Sequence, residues 1–144
     1  MIARLGHAGW LPFVGCALLS LLLDEPAARH LAERLLLGYG AVILSFLGGV
    51  HWGLVMRAPN GRAAGTLIIG VLPSLVGWGT LFLPGEPALA LQVAAFGGLW
   101  FYERRVLGPG LLPEEYLDLR RWLTVVVVAA LGVALIGPSV SMPV

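Results

Sequence analysis

The stretch Tyr39-Gly40-Ala41-Val42-Ile43-Leu44-Ser45-Phe46-Leu47-Gly48-Gly49-Val50-His51-Trp52-Gly53 decides the fold. It holds one histidine and no acid, lysine or arginine. The apolar run around it extends from about Leu35 to Met56. A bilayer's hydrocarbon core takes about 20 mainly apolar residues per helix, so this run is long enough to cross one. Lipid offers no partner to an unpaired peptide group, which makes the crossing element a helix.

Four further runs approach that length: about Leu5 to Leu23, Ala63 to Leu83, Pro87 to Tyr102 and Trp122 to Pro138. The last two are short, and reach by a turn into the interface or sit where the bilayer thins. Turn signals separate the runs: Asp24-Glu25-Pro26, the segment Arg57 to Arg62, and Pro84-Gly85-Glu86-Pro87. In the longer connection, Leu112-Pro113-Glu114-Glu115 reads as a helix start, with proline first and acids in the first turn. The expected fold is all-α, one domain over residues 1–144: an integral-membrane five-helix bundle with a short interfacial helix leading into the last span. Trp10, Pro12 and Gly15 inside the first run, and the lack of a small-x-small site after it, favour a retained helix over a cleaved signal peptide.

Composition agrees. Hydrophobic residues are 58% of the 144, charged residues 12%, and mean hydropathy is +0.89. A soluble chain of this length has too little interior for that apolar surface. A soluble enzyme, a disordered chain, a disulfide scaffold and a nucleic-acid binder are excluded; the net charge is only +1 and Cys16 is the single cysteine. With five spans, one side holds Arg4, Arg57, Arg62, Arg104, Arg105, Arg120 and Arg121, the other only Arg29 and Arg34. Arginine marks the cytoplasmic side, so the N-terminus is expected there. Trp10, Trp52, Trp100 and Trp122 lie toward the same ends of their spans, as an aromatic belt would.

Within the second span, Ala41, Ser45, Gly49 and Gly53 recur every fourth residue and share one helical face. Small residues so spaced let two helices approach, which reads as a packing seam in the bundle or a dimer, or as a flat face for a cofactor. His51 lies about 8–9 Å from the span centre, submerged rather than among headgroups. An ionisable group there is costly and a functional candidate. It is a neutral hydrogen-bonded histidine, a proton- or ligand-binding one, or an axial ligand to haem or pigment. Glu103 is its natural partner. His51, Tyr102, Glu103, Arg120 and Thr124 are expected at one level, forming either a polar cluster at the inner mouth or a snorkelling surface.

Pro73 removes a backbone hydrogen bond and predicts a kink in the third span, with Ser74 placed to satisfy freed carbonyls. Such a kink serves packing or opens a cavity. Gln92 is expected to bond across helices, and Tyr39 to anchor at the outer interface. No mid-membrane acid pair suggests an ion pump, no Cys/His set has metal spacing, and no nucleophile motif or phosphate loop is present.

Gly9-Trp10-Leu11-Pro12-Phe13, the run from Tyr39 to Gly53, Leu72-Pro73-Ser74-Leu75 with Trp78, and Leu119-Arg120 with Leu123-Thr124 resemble the transmembrane protein 69 family, of unknown function. The match covers nearly the whole chain; the central run is specific and the other motifs are short. The resemblance implies a small bacterial or mitochondrial multi-span protein, and that Tyr39, Ser45, His51, Trp52, Pro73, Ser74, Trp78, Arg120 and Thr124 belong to the family pattern. It carries no catalytic assignment. Without a mitochondrial presequence, the expected location is a bacterial inner membrane. The expected role is non-enzymatic: binding a hydrophobic ligand, or serving in a larger membrane complex or homo-oligomer, with the lipid bilayer as surroundings. A proton or solute transport bundle using His51, and a haem, pigment or quinone binder, are the alternatives. No cofactor or metal is expected otherwise.

Overall fold

In a computed structural model, residues 8–57 and 63–137 are described. Among them the chain is all-helical, with no β-strand. The helices are α1 (Leu11–Leu22), α2 (Pro26–Arg57), α3 (Ala63–Thr80) and α4 (Gly85–Tyr102), then a π-helical turn (Glu103–Leu107), the four-residue α5 (Gly108–Leu111) and α6 (Glu114–Ile136). By length and hydropathy, α2 and α6 suffice to cross a membrane; α1 and most of α3 are shorter apolar helices.

Several boundaries differ from the sequence reading. In the first apolar run α1 covers 12 residues, and Pro12 sits in its first turn, where its missing N–H costs nothing. The run's start, Leu5 to His7, lies outside the described residues, as does most of the turn from Arg57 to Arg62. In contrast, α2 begins nine residues before the apolar run, at Pro26, and spans 32 residues. The added turns carry Arg29, His30, Glu33 and Arg34, which are compatible with helix but not with hydrocarbon. The interfacial helix is continuous with the last span in α6, and Pro113 is its N-cap rather than its first residue.

Helix α2 is central. It packs on α1, α3 and α4, most extensively on α3, while α6 packs on α4 and α1. Close backbone approach and polar contacts join these helices. The α2–α3 approach is set by glycines. A Cβ at Gly48 would collide with the Gly70 carbonyl, and one at Gly77 would press on Ala41 at 2.9 Å.

Within the bundle, only part of the expected seam is used. Ala41 lies in this contact, but Gly49 and Gly53 face open space, and Ser45 is exposed, its hydroxyl donating to the Ala41 carbonyl at 2.9 Å. The α2–α3 contact uses Ala41 of that face together with Gly48, one step around α2, against Gly77 and Gly70 of α3. Tyr39 is corrected: its hydroxyl donates to the Gly9 carbonyl (3.1 Å) and its ring meets Phe13 edge-on, so it braces α1 rather than anchoring at an interface.

The core gathers Phe13, Leu36, Leu37, Leu44, Phe96 and Leu131, all nearly inaccessible. Large apolar side chains also cover the outside: Phe46, Trp78, Phe82 and Ile136 are all more than half exposed. Pro73 is buried within an uninterrupted α3 and lines a crevice of about 210 Å³ between α3 and α4 that reaches Tyr102. Half-buried Ser74 places its hydroxyl near Gly48.

Candidate functional site

The site begins where α4 stops being α-helical. From Glu103 the chain widens into a π turn, closed by the Gly108 N–H donating to the Glu103 carbonyl. Gly108 has φ +60 and ψ −175, a conformation open only to glycine. Here it turns the chain back through α5 toward α6. Leu107, Leu112 and Leu117 close over the turn as a small apolar cluster, with Leu54, Tyr102 and Tyr116 at its edge. Neighbours in sequence part here: Glu103 is 1% exposed, whereas Arg104 and Arg105 are exposed and lie over the rings of Trp100 and Phe101.

Glu103 is met by three side chains from two other helices. Arg120 of α6 donates from Nε to Oε2 at 2.8 Å. The Tyr116 hydroxyl, one turn earlier on α6, donates to Oε1 at 3.5 Å. His51 of α2 brings Nε2 to 3.8 Å from the same Oε1. Arg120 also donates from Nη1 to the Thr124 hydroxyl at 3.4 Å. Tyr102 of α4 lies beside the imidazole, ring centroids 6.0 Å apart.

His51, Tyr102, Glu103, Arg120 and Thr124 are therefore brought together, and Glu103 does not lie on a snorkelling surface. Sequence reasoning missed Tyr116 in this set. Its signal was the spacing Tyr116, Arg120, Thr124, which puts three polar groups on one face of α6.

The hydrogen bonds define the charge pattern. His51 Nδ1 is 3.0 Å from the Leu47 carbonyl; a carbonyl only accepts, so Nδ1 carries the proton. Nε2, the atom an axial ligand would use, faces Glu103 instead. Two atoms of the cluster are buried without a hydrogen-bond partner, His51 Nε2 and Arg120 Nη2. Among the described residues no group of three or more His, Cys, Asp or Glu is placed to hold a metal ion. His30 is exposed at the start of α2.

Beside the cluster, α2 and α6 make no substantial contact. The gap is a groove of about 1150 Å³. Val50, Leu54, Trp122, Val125 and Val126 form its apolar length; Glu115, Asp118 and Arg121 charge one end. Tyr116 lines the groove and also touches Glu103.

A second polar site bolts the other half of the molecule. Gln92 of α4 donates from Nε2 to the Leu37 carbonyl on α2 (2.8 Å) and the Thr80 hydroxyl on α3 (2.9 Å). It thus bonds across helices, as its position in the fourth run led us to expect.

Comparison with known proteins fixes the family. A family model described as a protein of unknown function (DUF3429) matches residues 1–136. The chain belongs to this family. It is also similar to Transmembrane protein 69 of Xenopus tropicalis, with 34% identity over 144 residues, covering 94% of this chain. The chain spans 54% of that relative's length. No solved structure matches. The family resemblance read from the central run is thus established, and neither family nor relative brings an assigned activity.

Proposed function

We propose that this protein is a non-enzymatic, multi-pass protein of a bacterial inner membrane: a five-helix bundle with its N-terminus in the cytoplasm. Its role is to bind a lipid-like amphiphile in the groove between α2 and α6, alone or as an accessory subunit of a larger membrane complex. The groove carries this reading. Its length is apolar and its end bears both signs of charge, which suits an acyl chain joined to a zwitterionic headgroup. The apolar outer surface and the one-sided arginines support the membrane setting.

The test is extraction. Protein purified in mild detergent is analysed by native mass spectrometry beside a Val50→Trp variant that fills the groove. A retained amphiphile, lost or weakened at least tenfold in the variant, supports the reading. A bare wild-type protein, or equal retention in both, overturns it.

A second reading, a small proton or solute transporter, is favoured by the buried His51–Glu103 pair. It predicts flux in proteoliposomes that changes where histidine ionises and is abolished by His51→Ala. Unchanged flux in that variant removes it. A visible absorption spectrum of the same preparation tests haem or pigment binding, and extraction tests quinone.

A further inference from the structure

We infer that Nε2 of His51 is a proton-binding atom and that Glu103, gripped by Arg120 and Tyr116, is its built-in counter-ion. The inference deepens the transport reading by naming the atom that would take up the proton. It rests on that reading's site and not on any measured flux.

The argument is one of donors and acceptors. Nδ1–H is committed to the Leu47 carbonyl, so in a neutral ring Nε2 presents a lone pair. Facing it at 3.8 Å is Oε1 of Glu103, another acceptor. That carboxylate already receives Arg120 Nε–H at Oε2 and the Tyr116 hydroxyl at Oε1. Without an added proton, two lone pairs oppose each other in a site closed to bulk solvent: side-chain exposure is 1% on both sides. Burial makes such an unmatched pair costly. One proton on Nε2, pointed at Oε1, converts the opposition into a charge-assisted contact. Proton uptake then takes the cluster from neutral to singly positive.

The other groups facing His51 do not supply an alternative. The π turn contributes Glu103, α4 contributes Tyr102, and α6 contributes Tyr116 and Arg120 through Glu103. Helix α3 presents Gly70 to the His51 Cβ and has no acid, base, tyrosine or cysteine along residues 63–80. The orphaned Nε2, wholly buried and aimed at an acid, is the observation that marks a ligand, and a proton on Nε2 would match the two acceptors across the 3.8 Å gap.

The experiment is 15N NMR of histidine-labelled protein in lipid bilayers across pH, with His51→Gln identifying the His51 signals. We expect Nδ1 to be protonated at every pH and Nε2 to gain its proton as pH falls. In Glu103→Gln the proton affinity of His51 drops about tenfold or more, since an opposite charge at this range favours the charged ring by at least that factor. A neutral His51 carrying its proton on Nε2, or an Nε2 that never protonates down to pH 4, overturns the inference in the wild-type protein alone, even if the variant fails to fold. Unaltered affinity in a folded Glu103→Gln overturns it as well. A proton detected on Nε2 with no flux in proteoliposomes leaves the inference standing and removes only the transport reading.

Discussion

The Gln92 clasp and the His51–Glu103–Arg120 centre are both buried polar sites in an apolar molecule, and they solve the same problem differently. Gln92 is one neutral side chain joining three helices. Its leftover atom, Oε1, has no hydrogen-bond partner and lies against Gly40, where an added Cβ would strike it. Glycine thus lets the amide fit, and Cα hydrogens are weak donors toward such an oxygen. The second centre draws on α2, α4, the π turn and α6, carries formal charges, and leaves Nε2 and Nη2 unpartnered. The clasp is closed by steric fit. The charged centre is closed only by another proton or donor, which is why function is sought there.

Four substitutions break or sharpen this contrast, measured as unfolding free energies in detergent or lipid. Glu103→Leu strands Arg120 without its counter-charge, and removing one partner of a buried pair costs about 3–5 kcal/mol. Glu103→Leu with Arg120→Met should recover most of it; a single-variant loss below about 1 kcal/mol would show that the pair is not a desolvated one. Gly40→Ala forces Gln92 Oε1 aside and should cost about 1–3 kcal/mol, the range for overpacking. That cost should shrink when Gln92 is also truncated to alanine, and full additivity would mean that the two residues do not press on each other. Gln92→Leu removes two interhelical hydrogen bonds and should cost about 0.6–1.7 kcal/mol, as such bonds do in membranes. A loss as large as that of Glu103→Leu would erase the distinction between the two sites. Gly49→Ala, with nothing near the added methyl, should be neutral or slightly stabilising through helix propensity. A marked loss would restore the seam along Ser45, Gly49 and Gly53.

Much of this was legible in the residues themselves. Apolar runs and their breaks placed the helices, and the levels of His51, Glu103 and Arg120 along successive runs made a cluster possible, but those levels alone left a snorkelling surface equally open. Gln92 was readable as a cross-helix bond because a lone amide in an apolar run has few other uses. What escaped depends on partners. The glycine contact at Gly48 is decided by Gly70 on another helix, and no periodicity within α2 distinguishes it from Gly49. Tyr39 looked like an interfacial tyrosine because its acceptor, the Gly9 carbonyl, exists only where α1 starts late. The π turn was invisible because it changes the phase of the helix without changing its composition.

The length of α2 has a mechanical consequence. Its 32 residues run without a break, with Arg34 holding the Leu81 carbonyl at 2.9 Å near one end and His51 facing Glu103 near the other. About 26 Å of rigid rod separates the two grips. A rod with no joint cannot loosen at one end in private: a tilt that frees Arg34 also changes the gap in front of His51. The helix is a lever, and a pull on the loop between α3 and α4 at one end is felt by the imidazole near the other.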